Sequence, residues 1–320
     1  MMATARATVA VVGVGQIGSR HLQGLAGCET SLDVHLVDPW PSAIEVAAGR
    51  WAEVGGDADR LIVHDTTAGL PPGLDVAVVA CSAAERPAVV GEVAATTRVR
   101  HWVLEKVLAT SGLALVAISQ TLRDAEGAWV NTPRRTHAWY RRLAAAGGAG
   151  RPVHLSVRGG SWGLACNAVH YLDLAAWWSG TTVSAVDTAR LDGRWLPARR
   201  PGYSEIGGTL AARLSDGGSV ELTDDLGGGP RTIHLETEAG SWTIDEPGEV
   251  ARRDDGLVVE GRYEPQSEET GRLVDEILTT GDCGLPTLEE SSAQHGPLLA
   301  ALLAHYRRTM DESAVTVPIT

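Results

Sequence analysis

Glu105 and Lys106 stand together in VLEKVL, residues 103–108, and Lys106 is the only lysine in the chain. All the other residues counted among its 27 Lys and Arg are arginines. A composition rich in Ala, Gly and Arg accounts for the arginines but not for the surviving lysine. Arginine stays charged throughout the biological pH range, whereas a lysine amine can be tuned to release and recover a proton. Lys106 follows a hydrophobic run, where a parallel strand would end and ligands bind, so it is a candidate acid/base. The competing reading is a solvated Glu–Lys pair. His170 lies in CNAVHYLDLAAWW with Asp173 three residues on. That spacing puts both on one helix face, where the carboxylate would orient the imidazole. A surface pair, or a histidine packed on Trp177, is the plainer alternative. Arg134 and Arg135, in NTPRRTHAWYRR, would clamp a carboxylate or phosphate if they are not simply solvated. Trp162, near Arg158 in VRGGSWG, offers either a sugar-stacking face or ordinary packing.

A second constellation lies near the start. Gly13-Val14-Gly15-Gln16-Ile17-Gly18 follows an apolar run and opens a helical pattern. The first glycine permits a tight turn, the second lets backbone approach a pyrophosphate, and the third lets helix and strand pack closely. Asp38 ends the next apolar run, twenty residues after Gly18, where an acid accepts from ribose hydroxyls. Together these residues predict dinucleotide binding. An acid at 38 favours NAD over NADP, and Pro39-Trp40-Pro41-Ser42 offers no cation for a 2′-phosphate.

The elements that must hold these residues follow from periodicity. Strand-like runs at TVAVVGVG, LDVHLVD, LIVH (61–64), DVAVVACS (75–82), HWVLEK (101–106) and AWVNTP (128–133) alternate with helical stretches, including one over 111–125. That alternation predicts a parallel sheet covered on both faces. AAAGGAGRP (144–152) reads as a flexible junction. VHLSVRGG then reads as a strand and NAVHYLDLAAWWSG as a helix closed by glycine. Short alternating runs from 181 to 262 predict an antiparallel sheet with one covered face, and helices return at 268–280 and 287–308.

With 320 residues the chain suits two domains, and 44% hydrophobic residues supply their cores. A formal charge of −13 without a basic block argues against nucleic acid. Cys28, Cys81, Cys166 and Cys283 show neither metal-ligand nor redox-pair spacing, so no metal is expected and a reducing compartment is. The first apolar run lacks a signal-peptide pattern, and no stretch is long and apolar enough to span a bilayer. A cytoplasmic location is therefore expected.

VAVVGVGQIGSRHLQGL, VLEKVLA, AAGGAGRPVHLSV, NAVHYLDLAAWWSG and GLPTLEESSAQHGPLLAALLAHYRR together resemble the Gfo/Idh/MocA oxidoreductases, a family that includes glucose–fructose oxidoreductase and inositol dehydrogenase. The resemblance spans essentially the whole chain. It implies an α/β protein with an N-terminal Rossmann domain, a doubly wound parallel sheet, over 1–132. A C-terminal α/β domain with a large open, mainly antiparallel sheet would occupy 133–320, its last helix a candidate to return to the first domain. The nicotinamide and a sugar-like substrate would meet between the two. VLEKVLA resembles the family's Glu-Lys-Pro motif, which implies that Lys106 binds the reacting oxygen and shuttles its proton, with His170 as a second donor or base. Cofactor contacts are implied for Gly13, Gly15, Gln16, Ile17, Gly18, Asp38, Cys81, Ser82 and Glu105. Substrate contacts are implied for Arg134, Arg135, Trp162, Asn167 and Asp173.

Three departures mark a divergent branch. Val107 replaces the motif's often-cis proline, so a different local backbone is expected. Cys166 stands where an aspartate usually precedes the histidine by four residues, leaving acid/base duty to Lys106 and His170. Cys81-Ser82-Ala83-Ala84 replaces the usual Thr-Pro-Asn. The resulting expectation is an NAD-dependent oxidoreductase acting on a secondary alcohol or ketone of a sugar, cyclitol or sugar derivative, assembled as a homodimer or homotetramer. Two alternatives stay open. One is a lyase, epimerase or glycosidase that oxidises transiently with tightly held NAD. The other is a non-catalytic NAD-binding regulator.

Overall fold

The structure, a computed structural model, describes residues 6–320. In chain order the elements begin with β1 (Ala7–Val12), α1 (Gln16–Leu25), β2 (Leu32–Val37), α2 (Pro41–Glu53), β3 (Leu61–His64) and β4 (Gly73–Val79). Next come α3 (Arg86–Thr96), β5 (Arg98–Leu104), α4 (Gly112–Thr121), β6 (Gly127–Val130), α5 (Ala138–Gly147), β7 (His154–Gly159) and α6 (Leu164–Ser179). The run β8 (Val183–Pro197), β9 (Ser204–Leu214), β10 (Ser219–Asp224), β11 (Thr232–Thr237), β12 (Gly240–Asp245), β13 (Val250–Arg253) and β14 (Val258–Glu260) precedes α7 (Gln266–Thr280) and α8 (Leu288–Thr309). Two compact units result. Of the described residues, unit 1 comprises those up to 108, 116–131 and 264–288, and unit 2 comprises 109–115, 132–263 and 289–320.

Unit 1 is a six-stranded sheet in the order β3-β2-β1-β4-β5-β6, parallel throughout. Its central strands are almost unbroken Val, Ala and Leu because both faces are covered. Alternate residues, Val9 and Val11 with Val34, Leu36, Val76 and Val78, share one core with Leu22 and Leu25 of α1, Trp51 of α2 and Leu273, Val274 and Ile277 of α7. On β4 and β5, α3 packs through buried Val90 and Val93. This is the doubly wound order, in which the strand sequence reverses between β1 and β4 and ligands collect outside the carboxyl ends. Helices α1 and α7 touch closely because Gly24 and Gly271 face each other's backbones. A Cβ at Gly24 would lie 2.8 Å from the Thr270 side chain.

Unit 2 carries an eight-stranded sheet in the order β14-β13-β12-β11-β7-β10-β9-β8, antiparallel except for β7 beside β10. The alternating burial of β7, with Leu155 and Val157 inside and His154, Ser156 and Arg158 outside, is that of a sheet with one covered face. Helix α6 packs on β7, β9 and β10, is buried along most of its length, and ends at Gly180 in the left-handed conformation.

The segment 144–152, expected as a flexible junction, is helical as far as Gly147. Trp139, Tyr140, Leu143 and Ala144 give α5 a buried face, and Gly147 leaves room for Trp178, whose ring a Cβ there would meet at 2.6 Å. Among the described residues, no helix is long and apolar enough to cross a membrane.

Candidate functional site

The β1–α1 turn builds a cradle from backbone alone. Gly13 takes φ +83°, and a Cβ there would lie 2.7 Å from the Cys81 backbone nitrogen. A Cβ at Gly18 would overlap the Gly13 carbonyl. Helix α1 begins at Gly15 without a side-chain cap and without an acid in its first turn, which leaves its N–H groups aimed outward with the positive end of the dipole. Gln16 and Ile17 are exposed on that first turn, and Ser82 is buried beside the half-buried Cys81. Asp38, at the end of β2, accepts from the Val14 amide at 2.8 Å and the Trp40 amide at 2.9 Å. Its carboxylate is thereby fixed against the glycine turn, and Trp40 is 70% exposed beside it. The bare helix end, the glycine contacts and the anchored acid fit a dinucleotide. Arg50 of α2 reaches the same turn, donating to Ser19 Oγ and to the Gln16 carbonyl. No local sequence signal marked that cation.

Lys106 follows β5 directly, at the carboxyl end of the same sheet, and is half-buried. Its neighbour Glu105 had been expected at the cofactor, but its carboxylate points into the unit. Glu105 Oε1 accepts from His21 Nε2 at 3.0 Å and from Asn131 Nδ2, while Oε2 accepts from the Lys106 amide at 3.2 Å. The contacts form a ring. Asn131 Nδ2 also donates to Gln266 Oε1 at 2.6 Å, and Gln266 Nε2 donates to Thr270 Oγ1 at 2.9 Å. Thr270 Oγ1 lies 3.0 Å from His21 Nδ1. Burial disfavours the Glu105 charge, but the His21 hydrogen bond and charge, with Asn131 and Lys106, outweigh it and hold the carboxyl below its usual range. Glu105 thus pins the backbone of Lys106 to α1, β6 and α7.

The loop after Lys106 is held from the other side by Arg86, the first residue of α3, which is 1% exposed. Its guanidinium donates to the carbonyls of Val107, Leu108 (3.1 Å) and Cys81 (2.6 Å). The Lys106–Val107 peptide is cis.

In unit 2, His170 and Asn167, one turn apart on α6, line a cavity of about 360 Å³ with Arg134, Tyr171, Arg231 and Glu246. The start of α6 is set by acids from distant strands. Asp224 accepts from the amides of Ser161, Trp162 and Gly163, and Glu205 accepts from that of Ala165. Glu246, just after β12, is the floor of the cavity. Its Oε1 accepts from Arg134 Nε at 2.8 Å and Tyr140 Oη at 2.7 Å, and its Oε2 from Arg134 Nη2 at 3.1 Å and Arg231 Nη2 at 2.6 Å. Burial pushes Glu246 toward protonation, yet Arg134, then Arg231 and Tyr140, bring it down to about 2. Arg134 also lies 4.5 Å from the centre of the Tyr171 ring and 5.2 Å from that of Tyr263. Burial raises Tyr171 to about 12, so it stays a neutral donor.

Several sequence expectations change here. Asp173 does not orient His170. It is fully buried, accepts from Gln294 at 3.2 Å and faces Arg135 Nε at 3.8 Å. Arg135 is 6% exposed and also pairs with Glu290 at 3.2 Å, so neither it nor Asp173 lines the cavity. Arg134 does line it, but with its fork committed to Glu246. Trp162 is tied by its indole N–H to the Thr223 carbonyl at 2.9 Å, with its ring edge-on to Tyr171, and is not part of the cavity wall. Arg231, Glu246 and Tyr263, which are in that wall, were missed; each stands alone in a polar stretch, and only the folded sheet brings them together.

No family model and no curated protein sequence matches the chain. Solved structures do match along nearly its full length. One is myo-inositol dehydrogenase from Lactobacillus casei in complex with NAD(H) and myo-inositol, at 15% identity and TM-score 0.68, covering 95% of this chain and 96% of that one. Another is UDP-N-acetylglucosamine 3-dehydrogenase from Acidithiobacillus ferrooxidans, at 16% identity and TM-score 0.69, covering 96% and 98%. A third is an oxidoreductase domain protein from Kribbella flavida, at 15% identity and TM-score 0.70, covering 95% and 98%. At these identities the likeness establishes the fold, two α/β units of this pattern, and nothing further about this chain.

Proposed function

We propose that the chain is an NAD-dependent oxidoreductase acting on a secondary alcohol or ketone of a sugar, cyclitol or sugar derivative. One observation carries the reading. The glycine cradle, Asp38 and the pinned Lys106 all lie at the carboxyl ends of strands of one parallel sheet. The solved structures that share the fold include dehydrogenases of a cyclitol and of a nucleotide sugar, which supports the same class.

In this reading the first-turn amides of α1 hold the pyrophosphate and Asp38 the adenosine ribose. When bound, the nicotinamide supplies the acceptor or donor of hydride. Lys106 takes the proton from the substrate hydroxyl as its carbon is oxidised, and returns it in the reverse direction. The unit 2 cavity receives the substrate, and His170 in its wall serves as a further donor or base, because Cys166 offers no carboxylate in its place. Glu105 and Arg86 act as positioning residues, fixing the backbone on either side of Lys106. Acid/base groups of this kind contribute about 10²–10⁴-fold. Lys106→Met should therefore lower kcat by that order in an assay of NADH formation, with NAD affinity retained. Turnover by the variant at the wild-type rate would sink the assignment.

A further inference from the structure

We infer that the unit 2 cavity takes the carboxylate of an acidic sugar, held by Arg231. The inference rests on the reading above, that this cavity receives the substrate. Two guanidinium groups, Arg134 and Arg231, share the single carboxylate of Glu246. The wall therefore carries one positive charge in excess.

Glu246 has no acceptor capacity left for a ligand, since two donors sit on each of its oxygens. It is the only carboxylate among the described residues of the wall. A neutral polyol needs acceptors for its hydroxyl protons, and this wall has spent its main one. A ligand that brings acceptors of its own suits it better.

Arg231 is the group that remains to meet such a ligand. Its side chain is 31% exposed, and only Nη2 is engaged by Glu246. Nε and Nη1 make no hydrogen bond to the described residues, so this guanidinium keeps charged N–H donors for the oxygens of a carboxylate. Arg134 cannot do the same, being buried with Nε and Nη2 on Glu246 and its face against Tyr171 and Tyr263. One unbalanced charge matches a monoanion. A phosphate dianion would leave an uncompensated negative charge against Glu246.

The test is calorimetric titration of the full-length protein, with saturating NAD, using D-glucuronate, D-galacturonate, D-glucose and D-glucose 6-phosphate. A uronate should bind about 10- to 100-fold more tightly than glucose, as one charge-assisted pair predicts. Arg231→Gln should abolish that ratio, and Arg231→Lys should keep part of it, each measured on protein that still unfolds cooperatively on melting. Equal binding of uronates and glucose, no binding of either uronate, or an unchanged ratio in Arg231→Gln would overturn the inference. Tighter binding of the phosphate would overturn the carboxylate assignment. Heat of binding is read without turnover, so the outcomes separate. Uronate binding without hydride transfer removes only the proposed activity. Lys106-dependent oxidation of a neutral sugar, with no uronate preference, removes only the anion site.

Discussion

Glu246 holds four donors on one buried carboxylate, and that crowding sets a pH dependence. Its folded pKa, about 2, lies below the ordinary 4.5. The stabilisation is thus complete above about pH 4.5 and is lost as pH falls toward 2. Glu246→Gln should cost about 3–5 kcal/mol at neutral pH, because it leaves two guanidinium groups facing each other without their anion. It should also flatten the acid limb of a melting curve followed from pH 7 to 2; an unchanged limb would refute the assignment. Asp173 has the opposite sign. Burial raises it from 3.8 to about 6, so its contribution falls as pH rises across that interval. These partnerships explain what the sequence could show of single residues. The glycine turn and Asp38 were legible because their chemistry is local. Arg134, Arg135 and Asp173 were recognised as charged, but the partners that hold them were not. Glu246 lies 112 residues from Arg134, and Gln294 lies 121 residues from Asp173. Spacing within one helix could not reveal either partner.

At the scale of elements, the Glu105 ring ties α1, β5, β6 and α7 into one block behind Lys106. His21→Leu removes a donor from a buried, ionised carboxylate and should cost about 1–3 kcal/mol. If Glu105 positions Lys106, the variant should also lower kcat and displace the pH profile of turnover while leaving NAD affinity alone. A stability loss with an unchanged profile would make the ring purely structural. Gly18→Ala tests the cradle instead. The added methyl overlaps the Gly13 carbonyl, so NAD affinity should fall at least tenfold in a fluorescence titration. Most elements could be read from apolar period and glycine punctuation. The start of α6 could not, since its N-terminal amides are satisfied by Asp224 and Glu205 rather than by a Ser, Thr or Asp at its own cap. The end of helix α5 hid in a run of Ala and Gly, in which Gly147 makes room for Trp178.

For the molecule as a whole, ligand linkage gives the most direct check. NAD at a hundred times its Kd should add about 2.7 kcal/mol to the unfolding free energy. The corresponding rise in Tm should be absent in Gly18→Ala, and a rise that survives there would place the cofactor elsewhere. The alternation of strand and helix, followed by short antiparallel runs, made the two sheets legible in the sequence. Less legible was how the chain is shared between units, because α7 has the same amphipathic signature wherever its apolar face is buried. That face closes the core of unit 1, with Leu273, Val274 and Ile277 against Leu22 and Leu25. On the ribosome the order of arrival then matters. After Asn131 has emerged, the seam on α1 stays uncovered until synthesis reaches residues 264–288. At roughly 5–20 residues per second that interval lasts on the order of ten seconds. Over that interval the nascent part of unit 1 would present its uncovered apolar seam to holdase chaperones, and a translational pause before residue 264 would prolong its exposure.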